Sequence, residues 1–135
     1  MASNIEIVQQ LYGAFMQGDI DGVRDRLSAD VEWREPAYQG DGGAYTGPDD
    51  VIAHLFEGEP VVEDYRLEIV DMLASDHRVA IVAATSGTRD GRPLTNEYIQ
   101  LVTIADGRVS AVRNYCWDPQ ALREFFAPAP DPANV

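Results

Sequence analysis

The chain contains no lysine: its ten basic residues are all arginine, set against 23 acidic residues, for a formal net charge of −13. A surface this negative repels phosphate backbones and anionic lipid, which argues against nucleic acid and membranes as partners and for a small neutral or cationic ligand. The same charge also serves plain solubility. Cysteine occurs once, at Cys116, so no internal disulfide can form. No apolar run approaches membrane-spanning length, and the N-terminus lacks a charged region followed by an apolar core, so a cytoplasmic protein is the expectation. The two histidines, His54 and His77, are isolated and give no metal-ligand spacing. A dinucleotide fingerprint is also missing. The glycine-rich stretch 39–47 lacks P-loop spacing and contains Asp41, which makes it a lid or a connector and implies no cofactor.

What is present suffices for one domain with a proper core over residues 1–126, in a chain of 135 residues. Residues 127–135, rich in proline and alanine, read as an extended or disordered tail. Ser3 and Glu6 form a capping box, after which Ile5, Val8, Leu11, Tyr12 and Phe15 recur at helical spacing until Gly18. A second short helix starts near Asp19 or Asp21 and carries Val23 and Leu27 inward. A third begins at Pro48, buries Val51, Ile52, Leu55 and Phe56, and ends at Gly58. From Tyr65 the period becomes two. Four strands, 65–74, 79–88, 93–104 and 108–117, are joined by tight turns, two of them carrying Asp-Gly, and must be antiparallel neighbours. Residues 119–126 add a last helical turn. The order is α+β.

Residues 31–36 (Val-Glu-Trp-Arg-Glu-Pro) are the chemically pointed stretch. Alternation puts Val31, Trp33 and Glu35 on one face of a strand that Pro36 terminates. An acid thus ends an apolar row beside an indole, where desolvation can raise its proton affinity; an acid at a strand end is otherwise simply solvated. Trp33 reads as core, as a stacking platform, or as both. Asn96, Tyr98 and Gln100 share a face on the third strand of the meander, and Asn114, Cys116 and Asp118 share one on the fourth. Asp118 precedes Pro119, so it is either a functional acid or the cap of the following turn. Cys116 reads as a small buried residue, since no histidine is placed to activate it. His54 lies at the edge of the third helix's stripe, leaning into a pocket or sitting at the rim. Residues 79–84 and 98–104 are apolar on both faces, so the sheet's outer face calls for cover, most simply by a homodimer.

Four phrases, residues 18–22 (Gly-Asp-Ile-Asp-Gly), 30–33 (Asp-Val-Glu-Trp), 105–109 (Ala-Asp-Gly-Arg-Val) and 114–118 (Asn-Tyr-Cys-Trp-Asp), stand in an order that resembles the nuclear transport factor 2-like superfamily, particularly its SnoaL-like polyketide cyclase and ketosteroid isomerase branches. The resemblance implies a cone: a curved antiparallel or mixed sheet wrapped round N-terminal helices, with an apolar pocket inside. Glu35-Pro36 matches the position of the isomerases' general base. The isomerases' helix-borne tyrosine falls at Leu11, with Tyr12 turned about a hundred degrees away, and their second acid falls at Gln100. Asp118 matches an acid near the end of the last strand. The implied function is a cofactor-independent cyclase or isomerase acting on a small apolar carbonyl-bearing molecule of polyketide type. Glu35 would move a proton, Tyr98 and Gln100 would hold an oxygen, and Asp118 would be a second acid or base. Tyr12, Phe15, Trp33, His54, Asn96, Asn114 and Cys116 would line the pocket. The alternatives are a non-catalytic small-molecule-binding protein of the same fold, and a limonene-epoxide-hydrolase-like enzyme, whose Asp–Arg–Asp group is only half matched.

Overall fold

The computed structural model describes residues 2–35, 43–57 and 62–127. Ser3 caps helix α1 (Asn4–Met16) by accepting from the Glu6 amide at 3.2 Å, and Gly18 takes the left-handed conformation just past the helix end. Asp19 caps α2 (Ile20–Arg26) through the Gly22 amide. Leu27, expected on the inner face of this helix, instead opens strand β1 (Leu27–Arg34) and is buried there. Its β-branched and aromatic successors favour a pleated strand over a further helical turn.

The expected loop at 39–47 is corrected in part. Ala44–Thr46 form strand β2, which pairs antiparallel with β1 so that Tyr45 lies opposite Trp33. Residues 39–42 lie outside the described residues, as do Gly58, expected to close the third helix, and the tail from 128 onward. Helix α3 (Pro48–Glu57) follows at once, with Asp49 and Asp50 in its first turn suiting the helix dipole.

Strands β3 (Glu63–Ala74), β4 (Arg78–Arg89), β5 (Arg92–Ala105) and β6 (Arg108–Cys116) form the expected meander. Its two Asp-Gly turns have positive φ at both central residues, Asp90 and Gly91, then Asp106 and Gly107, the backbone that matches strand twist in a two-residue hairpin. β6 then pairs parallel with β1, giving one open six-stranded mixed sheet in the order β2-β1-β6-β5-β4-β3.

The inner face of the sheet curves round α1. Ile7, Val8 and Leu11 of the helix pack with Val31, Ile81, Val102 and Val112 of the strands to make the core. Asn4 pins the start of α1 to the β3–β4 turn by donating to the Ser75 and Asp76 carbonyls. Among the described residues no helix is long and apolar enough to cross a membrane. Helix α4 (Pro119–Phe126) closes one end of the fold. Arginines of the β4–β5 hairpin hold its C-terminal carbonyls: Arg89 donates to Phe126 O at 2.6 Å, and Arg92 donates to Glu124 O at 2.6 Å and Ala127 O at 2.7 Å. These cations sit where a helix end carries partial negative charge.

Candidate functional site

Between α1, α4 and the inner face of the sheet lies a cavity of about 380 Å³. Its polar corner is built on β1. The alternation that buries Val31 and Trp33 also turns Glu35 inward, and three side chains surround its carboxylate. The Trp33 indole N–H donates to Oε1 at 2.8 Å, Asn114 Nδ2 donates to the same oxygen at 3.1 Å, and His54 Nε2 lies 3.0 Å from Oε2.

His54 is only 7 % exposed and does not line the cavity. It reaches Glu35 from behind, because β2 places Tyr45 next to Trp33 and α3 folds straight back over β2. The imidazole stacks on Tyr45, with ring centroids 4.0 Å apart. The sequence reading set His54 at a helix edge, whereas the return of the chain through β2 buries it. Nothing in the local spacing reveals this, since a three-residue strand between glycines has no period to read.

A second polar group faces the cavity from α1 and β5. Tyr12 donates its hydroxyl proton to Gln100 Oε1, and Gln100 itself is 6 % exposed. Tyr98 is hydrogen-bonded to Tyr12, and since Tyr12 has spent its one proton on Gln100, its oxygen accepts from Tyr98. Burial, then the neighbouring phenols and the Glu35 carboxylate, push both hydroxyls above the ordinary tyrosine range, so both stay protonated donors. Burial also pushes the Cys116 thiol up, which leaves it a poor nucleophile.

Of the eleven residues singled out from the sequence, nine line the cavity together: Glu35, Tyr98, Gln100, Tyr12, Phe15, Trp33, Asn96, Asn114 and Cys116. Two do not. His54 stands behind Glu35, and Asp118 is exposed, accepting from the Ala121 amide at 3.0 Å as the cap of α4. Alternation fails for Asp118 because β6 ends at Cys116. Tyr12 lines the cavity as expected. A turn of a hundred degrees from Leu11 does not remove it from the pocket, because the curved sheet surrounds a wide arc of α1 and both residues line the cavity. Sequence reasoning missed the far wall, where Tyr65, Gly87, Leu94, Leu122 and Phe125 stand. The period of two through Ala83, Thr85 and Gly87, and the three-residue spacing of Leu122 and Phe125, carried that signal. Tyr12→Phe leaves Gln100 Oε1 buried without its donor and is expected to cost about 1–3 kcal/mol, measured by urea unfolding.

A mixed sheet of this order packed on N-terminal helices, with a carboxylate turned to an apolar interior, is the architecture of a nuclear transport factor 2-like domain. Residues 8–112 match the SnoaL-like domain model, and the chain belongs to that family. Uncharacterized proteins of Mycobacterium bovis and Mycobacterium tuberculosis are 27 % identical over 127 residues, covering 93 % of this chain and 97 % of theirs. A solved nuclear transport factor 2-like protein of unknown function from Burkholderia pseudomallei superposes with a TM-score of 0.79 at 26 % identity, covering 94 % of this chain and 100 % of its own. A protein from Jannaschia assigned as a SnoaL-like polyketide cyclase superposes with a TM-score of 0.73 at 20 % identity, with 93 % of each chain covered.

Proposed function

We propose that the protein is a cofactor-independent acid/base enzyme, a cyclase or isomerase, acting on a small apolar molecule that bears a carbonyl group. The observation that carries this reading is the inward Glu35 carboxylate, fixed by Trp33, Asn114 and His54 at the edge of an apolar cavity. Held donors orient a general base before substrate arrives, so little reorganisation remains for the reaction step. Glu35 takes a proton from the carbon beside the carbonyl. Tyr98, whose hydroxyl turns from Tyr12 to the ligand, donates to the oxygen on which charge develops, and Tyr12 with Gln100 backs it. Asp118 takes no part, since it caps α4 outside the cavity. The test is incubation with aromatic polyketide-type ketones, followed by chromatography and mass measurement, for wild type and Glu35→Gln side by side. A product formed by the wild type alone supports the reading, and equal conversion by both overturns it.

One observation favours a second reading, a non-catalytic binding protein of the same fold. The Tyr98 hydroxyl proton is directed at Tyr12 and that of Tyr12 at Gln100, not into the cavity. Tight binding of a ligand whose mass stays unchanged after long incubation distinguishes it. An epoxide hydrolase with an Asp–Arg–Asp group finds no support, because none of the ten arginines, all among the described residues, lines the cavity.

We propose further that the outer sheet face pairs two copies of the chain. Ile99 and Tyr115 are adjacent partners across β5 and β6, with Val82 next to Ile99 on β4. Ile99 is 43 % and Tyr115 53 % exposed, so an apolar row of Val82, Ile99 and Tyr115 faces outward across three strands. Ile99→Glu is expected to raise the dimer dissociation constant by roughly tenfold or more, read by size exclusion with light scattering.

A further inference from the structure

The polar corner of the cavity is one-sided in its hydrogen bonding. Trp33 and Asn114 donate to Glu35 Oε1, while His54 Nε2 lies 3.0 Å from Oε2. Oε2 keeps room for a further donor. Asn114 gives one of its two N–H groups to Glu35, and its Oδ1 is buried with no hydrogen-bond partner. Two acceptors short of donors therefore stand at the same corner. An entering group that donates satisfies both, which a carbonyl oxygen does not.

Charge narrows the choice further. Glu35 is the one acid among the described residues that line the cavity, and no arginine lines it. The aromatic side chains of Tyr12, Phe15, Trp33, Tyr65 and Tyr98 make up much of the surrounding wall. Ring faces attract cations, the more so away from water. The net charge of −13 adds long-range attraction for a positive ligand. A neutral hydroxyl would satisfy one acceptor and leave the carboxylate's charge uncompensated, whereas an ammonium donates several hydrogen bonds and compensates the charge as well.

The geometry points to a protonated organic amine with an apolar, ring-sized body as the ligand of this cavity. Its ammonium sits between Glu35 Oε2 and Asn114 Oδ1, and its body lies along the aromatic wall towards Leu94 and Phe125. A carbonyl on the same molecule is directed away from this corner, to Tyr98 and Gln100. The inference takes from the acid/base reading only that Glu35 faces the ligand, and it does not require turnover.

The test uses 2-naphthylmethylamine and its near-isosteric alcohol, 2-naphthalenemethanol, at neutral pH. The chain has two tryptophans, so a nitrogen–proton correlation spectrum carries two indole signals. Trp33 N–H is bonded to Glu35, and Trp117, 85 % exposed, is the internal control. The amine is expected to shift the Trp33 signal and not that of Trp117, and to bind at least about tenfold more tightly than the alcohol. Glu35→Gln is expected to erase that preference. Equal affinities in the wild type, an amine that leaves Trp33 unmoved, or a preference that survives Glu35→Gln each overturn the inference. The wild-type comparison stands by itself if the variant folds poorly. Because no product is measured, failure here leaves the acid/base reading standing, and loss of catalysis leaves amine binding to be judged alone.

Discussion

Glu35→Gln is expected to lower turnover of a carbonyl-bearing substrate by roughly 10²–10⁴-fold, the usual contribution of a positioned proton-transfer group, with little change in melting temperature. Stability is spared because the amide keeps the shape of the carboxylate and much of its bonding. Its Oε1 still accepts from Trp33 and Asn114, and its N–H₂ meets His54, whose imidazole can present an unprotonated Nε2 by changing tautomer. The proton-accepting oxygen pair is gone. Parallel progress curves and thermal melts of wild type and variant check both halves, and wild-type turnover in the variant removes Glu35 from the reaction.

The second large effect is on folding. Trp33 is 5 % exposed, packs in the central core, and bonds its indole N–H to Glu35. Trp33→Ala is expected to cost about 3–5 kcal/mol, the range for deleting a buried aromatic side chain. It also frees one face of the carboxylate and opens the cavity floor towards Tyr45. Trp33→Phe keeps most of the ring volume and loses only the donor, so it should recover more than half of that stability without restoring full activity. Urea unfolding of the three proteins, followed by circular dichroism, gives the ordering. If Trp33→Ala is as stable as wild type, the indole is not part of the core.

The parts of this molecule governed by neighbours in sequence were legible from residues alone. The Asp-Gly turns at 90–91 and 106–107 fix two hairpins, and the hairpins fix which of Asn96, Tyr98 and Gln100 face inward together. Glu35 followed from alternation in β1. What escaped depends on chain segments meeting across the fold. His54 needs β2 to seat Tyr45 against Trp33 before α3 can bring an imidazole to within 3.0 Å of Glu35. Asp118 was misplaced inward by extending a strand period one step past the end of β6, where a proline permits a helix start and the acid becomes its cap.

The arginine hold on α4 has an evolutionary consequence. Leu122, Phe125 and Phe126 make up the end wall of the chamber, yet they ride on an eight-residue helix that follows the last strand and is strapped to the rest by Arg89 and Arg92 through main-chain oxygens, with the Arg89 guanidinium also over the Phe126 ring. Main-chain straps are indifferent to side-chain identity. Selection can therefore rewrite Leu122 and Phe125 in the wall facing the cavity, lengthening or shortening the chamber, while the main-chain attachment and the polar corner on β1 stay as they are.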